Sequence, residues 1–145
     1  MAGLFCGKII YKKLGDIIDR DHLCIVNMRN DKLQEIYEYK FFSCKNIKTV
    51  ILPDTLTKIG GHAFDGCRGI TGTLNLPNSL KEIYIRAFNG CDGITGTLQL
   101  PNNLELIGYG AFYDCGGITG ELKLPNLLKE INSLAFGECT GITAV

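Results

Sequence analysis

The sequence predicts an α/β repeat solenoid of about five coils, with parallel β-strands, short 3₁₀ or α turns and an N-terminal cap. The first observation is a repeat of 24 residues, whose units begin at Leu52, Leu76, Leu100 and Leu124. The second is that Leu-x-x-Ile, Ala-Phe and Cys return at the same places in every unit. A fixed period of this length determines architecture more strongly than local propensity does. We therefore predict one domain, with residues 1–30 as the cap and residues 31–145 as the solenoid.

A degenerate copy precedes the first full unit. Its apolar positions, which lie 23 residues before their counterparts, are Leu33, Ile36, Phe41, Cys44 and Ile47. The missing residue falls after Ile47: two residues, Lys48 and Thr49, lie between this residue and Val50, whereas the later copy has three, Thr71-Gly72-Thr73. We predict that Gly72 forms a bulge or a tight bend, since glycine accepts a positive φ without steric cost.

Each unit contains a set of apolar residues that the pattern places in the core. In the unit from 76 to 99 they are Leu76, Leu80, Ile83, Ala87, Phe88, Cys91, Ile94 and Leu98. Strict alternation at Leu74-Asn75-Leu76 predicts a strand that ends at Pro77, because proline cannot donate to a ladder. A second extended piece is predicted from Lys81 to Tyr84, followed by one 3₁₀ or α turn over residues 87–91. In the cap, the run from His22 to Met28 predicts a strand that pairs with the first coil, and residues 8–14 a further element.

Composition excludes several classes of protein. Hydrophobic residues make up 46% and charged residues 21%, which is incompatible with a disordered chain. Lys and Arg (15) balance Asp and Glu (15), so neither nucleic acid nor an acidic membrane is predicted as a partner. No apolar run reaches the ~18 residues of a membrane span, and no basic residue precedes the first apolar stretch as in a signal peptide. These observations slightly favour the cytoplasm as the location of the protein, or the cell surface if a targeting sequence has been removed.

Seven cysteines raise the question of metal or disulfide chemistry. Five of them recur with the repeat, at Cys44, Cys67, Cys91, Cys115 and Cys139. We predict a ladder of reduced, buried thiols, since free cysteine fills small apolar spaces. No Cys-x-x-Cys pair, phosphate-binding loop or Gly-x-Ser-x-Gly turn is present, so no metal, no cofactor and no enzymatic activity is predicted.

The combination of Leu-Pro, Leu-x-x-Ile, Ala-Phe, a Cys three residues later and Ile-Thr-Gly resembles the BspA-like, or type 5, leucine-rich repeats. The resemblance covers about residues 33–145. It rests on the segments Ala63-Phe64 to Cys67, Ala87-Phe88 to Cys91, Ala111-Phe112 to Cys115 and Ala135-Phe136 to Cys139. It implies a curved parallel solenoid without enzymatic activity, and proteins of this class are often microbial adhesins or host-interaction proteins.

Two surfaces are candidates for binding a protein partner. The first, called the polar face below, alternates with the buried leucines and consists of Thr73, Asn75, Thr97, Gln99, Glu121 and Lys123. Its residues are equally compatible with a merely solvated surface, since binding faces usually carry aromatic residues or Arg. The second, called the variable stripe, precedes Ala-Phe and consists of Tyr39, His62, Ile85, Arg86 and Tyr109. We favour the variable stripe, because the repeat does not dictate its side chains and they are of the types that anchor interfaces.

The last coil gives an alternative function. No polar capping segment follows Thr143-Ala144-Val145 in the sequence, so this coil is predicted to expose an apolar edge or a strand edge. Copies of the chain could associate through that edge. A structural, self-assembling protein is therefore the alternative to a protein-binding module.

Overall fold

The computed structural model describes residues 10–11 and 18–145, and in these residues ten short strands and no helix are found. The strands are β1 (Ile10–Tyr11), β2 (Ile25–Asn27), β3 (Glu35–Ile36), β4 (Thr49–Ile51), β5 (Lys58–Ile59), β6 (Glu82–Ile83), β7 (Leu106–Ile107), β8 (Gly120–Glu121), β9 (Glu130–Ile131) and β10 (Ile142–Ala144). All their pairings are parallel. The predicted solenoid of parallel-strand coils is confirmed.

One sheet runs through all five coils, in the order β3-β5-β6-β7-β9. Each coil supplies one strand, and the register aligns Ile36, Ile59, Ile83, Ile107 and Ile131. The first four of these isoleucines are buried, whereas Ile131 in the last coil is 42% exposed. The extended piece predicted from Lys81 to Tyr84 is thus the segment that forms the continuous sheet.

A second β-ladder, formed by β2, β4 and the corresponding segments of later coils, is interrupted. Three-residue strands β2 and β4 pair before the first Gly bulge, and the next coils are joined only by isolated bridges, Gly72 with Ile94 and Gly96 with Ile118. Pairing resumes between β8 and β10, with a register shift after Gly120. Gly72 and Gly96 have φ of 79° and 77°, which confirms the predicted bulge or bend. The strand predicted at Leu74-Asn75-Leu76 is wrong. The left-handed glycine turns the backbone out of register with the neighbouring coil. The side chains of residues 74–76 therefore still alternate, but within the described part of the chain their backbone lacks interstrand hydrogen bonds.

The Ala-Phe segment forms consecutive turns, and not the predicted 3₁₀ or α turn. Alternate amides have different acceptors: Phe64 N–H donates to the Ala87 carbonyl of the next coil at 2.8 Å, whereas Asp65 N–H donates to the carbonyl of His62 at 3.3 Å. A helix requires every amide to bond within its own segment. Because half of these amides bond to the neighbouring coil, the segment stacks as a rung of the solenoid.

The core consists of ladders of identical side chains. Neighbouring rings of Phe41, Phe64, Phe88, Phe112 and Phe136 lie 5.1 to 5.3 Å apart between centroids, with interplanar angles from 1° to 19°. The first four phenylalanines are fully buried. In the unit from 76 to 99, the predicted inward positions are buried except for Leu76, which is only partly buried where the second ladder is interrupted.

The described part of the N-terminal segment pairs with the first coil. The strand predicted between His22 and Met28 is confirmed as β2, which pairs with β4. Within the element predicted over residues 8–14, β1 pairs with β2, and the other residues lie outside the described part of the chain. The guanidinium of Arg20 donates to the carbonyls of Phe42, at 2.6 Å, and Tyr39, at 3.3 Å. Arg20 therefore supplies donors to first-coil carbonyls.

Candidate functional site

The variable stripe lies immediately after the five-stranded sheet, in two adjacent rows. The sheet register places Ile85 and Tyr109 in one row, and Tyr39, His62 and Arg86 in the next. Tyr39, Ile85 and Tyr109 are 47%, 45% and 39% exposed, which is a large fraction for side chains of this kind. The structure therefore brings together all five residues that the sequence assigns to the stripe.

The second row has a left-handed backbone. Tyr39, His62 and Arg86 have φ of 59°, 56° and 50°, and Leu134 follows them in the last coil with 57°. This conformation costs a non-glycine residue about 1 to 2 kcal/mol. Hydrogen bonds between coils offset the cost, since His62 N–H donates to the Ile85 carbonyl at 2.8 Å and Arg86 N–H to the Tyr109 carbonyl at 2.9 Å. The fold thus fixes the backbone of the row while the side chains remain free to differ.

His62 is held in one orientation by its neighbours. Its ring stacks on that of Tyr39, with centroids 4.7 Å apart and an interplanar angle of 3°. Its Nδ1 lies 2.7 Å from Oδ2 of Asp65, a buried carboxylate whose Oδ1 accepts a hydrogen bond from Asn89 at 2.9 Å. Phe42 packs edge-on against Tyr39 at 5.5 Å. This aromatic group is therefore ordered before any partner binds.

The other half of the stripe centres on Arg86. Its guanidinium carbon lies 6.0 Å from the centroid of the Tyr109 ring, at the limit of a cation–π contact. Arg86 and Tyr109 also line an open groove of about 170 Å³ together with Gly110, Tyr113 and Leu134. The planar guanidinium of Arg86 and the apolar side chains that line the groove thus lie side by side.

Sequence reasoning missed three aromatic residues next to the stripe. Tyr37 and Phe42 are 55% and 37% exposed, and Tyr84 is partly exposed. Tyr84 hydrogen-bonds through its hydroxyl to the Glu82 carboxylate, which raises the pKa of Tyr84 to about 12. The available signal was the alternation of Tyr37, Gly60, Tyr84 and Gly108 at one position of the repeat.

The residues of the polar face occupy a different part of the molecule. Thr73, Asn75, Thr97, Gln99, Glu121 and Lys123 are all exposed, and they lie along the interrupted second ladder. None of them is joined to the variable stripe by the hydrogen bonds, ion pairs or ring contacts of the described residues. The structure thus separates the two candidate surfaces.

The predicted ladder of free cysteines is confirmed: Cys44, Cys67, Cys91, Cys115 and Cys139 are buried and free. From the second coil onward each thiol donates to the carbonyl of the phenylalanine in the preceding coil, at 3.0 to 3.2 Å. Burial raises the pKa of Cys67 to about 12, and it also raises the pKa of the other four. The thiols therefore serve packing and hydrogen bonding between coils, because the thiolate that reacts or binds metal is disfavoured.

None of the described residues forms a helix long and apolar enough to cross a membrane.

Comparison with known proteins gives the family of this architecture. The BspA type leucine rich repeat region matches residues 24–143, in six copies. A leucine-rich repeat protein of T. pallidum, known from its crystal structure, has 33% sequence identity and a TM-score of 0.70, with 92% of this chain and 56% of that chain covered. A leucine-rich repeat protein from Bacteroides ovatus ATCC 8483 has 25% identity and a TM-score of 0.66, with 88% and 35% covered. Curated protein sequences give no significant match.

This chain spans about half the length of the T. pallidum protein and a third of that of the B. ovatus protein. The six matched copies begin at Cys24, so the repeat pattern includes β2 in addition to the coils recognised from the sequence. Leucine-rich repeat proteins generally mediate protein interactions and are typically non-enzymatic. The chain belongs to the BspA-type leucine-rich repeat family.

Proposed function

We propose that this chain is a non-enzymatic protein-binding module whose partner lies against the variable stripe. The observation that carries the proposal is a set of large side chains held in register, of which Tyr39, Arg86 and Tyr109 are exposed and His62, stacked on Tyr39, is partly buried. Tyrosine and arginine are the side chains that most often dominate the energy of protein interfaces. Because these rings are already ordered, little side-chain entropy is lost on binding.

The dimensions of the solenoid support a partner of ordinary size. Five coils spaced by ~4.8 Å extend over roughly 20 to 25 Å. A surface of this length suits a standard interface of about 800 Å² per partner. An adhesin or host-interaction role, as the family resemblance implies, is a narrower form of the proposal that binding to host surface proteins would test.

The first prediction concerns the double substitution Arg86→Ala with Tyr109→Ala. Losing two anchor residues of about 2 kcal/mol each should weaken partner binding by roughly 100- to 1,000-fold, since 1.4 kcal/mol corresponds to tenfold. Partners are captured from the native source, identified and purified, and the dissociation constant is then measured by titration calorimetry. Both side chains are exposed or beside a groove, so the variant should retain the wild-type circular dichroism spectrum.

A matched control on the polar face distinguishes the two candidate surfaces. The double variant Thr73→Ala with Thr97→Ala removes two exposed residues of the interrupted ladder and should change the dissociation constant by less than about threefold. The reverse result, with the threonine variant weakened and the stripe variant unaffected, would place the binding site on the polar face. Failure of every captured protein to bind in purified form would overturn the proposal.

A second candidate function, self-assembly, is favoured by the last described coil. Leu124, Leu127, Ile131 and Leu134 are between 42% and 53% exposed there, and β9 forms an edge of the five-stranded sheet. The Phe136 amide occupies the position from which Phe112 N–H donates to the following coil at 2.7 Å. A second copy that packs on this coil would bury the leucines and extend the ladders.

Light scattering after size-exclusion chromatography tests this second function. The prediction is a concentration-dependent dimer at tens of micromolar protein, which Leu127→Lys abolishes because it places a charge in the apolar contact. The control variant Thr73→Lys adds the same charge on the polar face and should leave the dimer intact. A monomer at all concentrations for the unmodified chain would refute self-assembly through this coil.

A further inference from the structure

An open groove of about 470 Å³ lies on the outer face of the five-stranded sheet, between Tyr37 and Tyr84. The register aligns Tyr37 with Gly60 and Gly60 with Tyr84. At this position of the repeat, a coil with glycine therefore lies between two coils with tyrosine. Gly60 and the adjacent Gly61 form the floor of the groove. The groove is thus a slot with an aromatic residue on each side.

The slot is a fixed feature of this backbone. A Cβ atom at residue 60 would lie 2.5 Å from the amide nitrogen of Glu38 and 2.7 Å from the carbonyl oxygen of Ile36. Both are backbone atoms of the preceding coil, which no rotation of a side chain can move aside. Because the first two coils stack this tightly, residue 60 has to be glycine, and no side chain fills the groove at this position.

The width of the slot suits one flat group. Two strand spacings of ~4.8 Å separate the backbones of Tyr37 and Tyr84, so a group above Gly60 is about 4.8 Å from each row. Cation–π attraction operates when a cation lies within about 6 Å of a ring centroid. A single cation above Gly60 is therefore within this distance of the backbone rows that carry both tyrosines.

The charged residues around the groove indicate which kind of group would bind in it. Glu35 and Glu38 line the groove, and Glu82 lies beside it, bonded to the Tyr84 hydroxyl. Only Glu82 has an ion-pair partner among these three in the described residues, with Lys58 Nζ at 3.4 Å. Lys58 also lies in register with Glu35. Arg86 lies over Tyr109, and Lys40 lines a small adjoining cavity together with Glu35 and Tyr37. Two lysines thus lie near three carboxylates. The groove therefore presents an excess of negative charge.

We infer that this groove receives an arginine side chain of the partner protein, with the guanidinium between Tyr37 and Tyr84 and its donors directed to Glu35 and Glu38. The inference rests on the proposed function, that the partner is a protein. A planar guanidinium stacks on aromatic rings and bonds carboxylates at the same time, which a compact ammonium group does less well. Ile85 borders the groove and belongs to the variable stripe, so one partner can occupy both.

The test is a nuclear magnetic resonance titration with short blocked peptides, which requires no identified partner. Acetyl-Gly-Arg-Gly-amide should produce saturable shifts confined to the amides around Tyr37, Gly60, Gly61, Tyr84 and Ile85, with a dissociation constant on the order of 1 mM. The uncharged Gln peptide should bind at least about tenfold more weakly, and the Lys peptide about threefold more weakly. Shifts that do not saturate, that lie elsewhere, or that are equal for the Arg and Gln peptides would overturn the inference.

Variants separate this inference from the proposed function. Glu38→Gln removes one carboxylate and should weaken binding of the Arg peptide by roughly three- to tenfold, Tyr37→Leu should weaken it further, and Thr73→Ala should leave it unchanged. Tyr37 and Glu38 are exposed, so both variants should keep the wild-type spectrum outside the groove. If Tyr37→Leu leaves partner binding intact while the Arg86 and Tyr109 variant abolishes it, the groove assignment fails and the proposed function stands. If the Arg peptide binds but no protein partner does, the proposed function fails, and of the inference only the arginine specificity of the groove stands.

Discussion

Replacing Gly117 with Ala is expected to destabilise the protein by about 3 kcal/mol or more. A Cβ atom at this residue would lie 2.3 Å from the carbonyl oxygen of Ile94 and 2.7 Å from that of Asp92. Both acceptors belong to the backbone of the preceding coil, so relief requires the two coils to separate. The same approach of 2.3 Å recurs at Gly69, Gly93 and Gly141, which indicates that the stacking distance of the solenoid requires glycine here.

The neighbouring residue provides the control for this prediction. A Cβ atom at Gly116 would meet nothing closer than 3.7 Å, and other copies carry Arg68, Asp92 and Thr140 at this position. Gly116→Ala should therefore be neutral or stabilise the protein by roughly 0.5 kcal/mol, by restricting the unfolded chain. Urea denaturation of both variants followed by circular dichroism measures the difference. Equal stability of the two would show that the coils can move apart at little cost, and would contradict the steric argument.

The sequence was sufficient for the core because side-chain periodicity reports burial directly. Leu80, Ile83, Phe88 and Cys91 are all buried as predicted. Periodicity does not report which backbone amides find partners in the neighbouring coil. The alternation at Leu74-Asn75-Leu76 therefore predicts a strand, whereas the hydrogen-bonded strand of that coil is Glu82–Ile83. A bulge is predicted at Gly72, but the pattern does not indicate that the ladder there is reduced to a single bridge with Ile94.

The limits of periodicity also explain why only part of the candidate site was predicted. Residues that differ between copies can be found by aligning the repeats, and this alignment identified Tyr39, His62 and Arg86. Their left-handed backbone could not be inferred, because glycine occupies that position in only one coil, at Gly110. The groove beside Tyr37 depends on a close approach between the first two coils at Gly60, which is a property of their stacking and leaves no pattern within one repeat.

Phe88→Ala is expected to cost about 3 to 5 kcal/mol, the usual range for removing a fully buried aromatic side chain. Phe88 is fully buried, and its ring stacks between those of Phe64 and Phe112, at 5.2 and 5.3 Å between centroids. Truncation leaves a cavity between two rings that cannot collapse, because hydrogen bonds between coils fix their spacing on both sides. The Phe88 amide donates to the Ala111 carbonyl at 2.8 Å, and the Phe64 amide to Ala87 at 2.8 Å.

Phe136→Ala is the matched comparison, since Phe136 belongs to the same ladder but has a stacking neighbour, Phe112, on one side only among the described residues. It is also only partly buried, so its removal should cost roughly half as much as that of Phe88. Urea denaturation gives both free energies of unfolding. In a solenoid whose stability is a sum of contacts between adjacent coils, the loss at a central rung must exceed the loss at a terminal rung. Equal losses would mean that the phenylalanines contribute through burial within their own coil and that stacking between coils adds little.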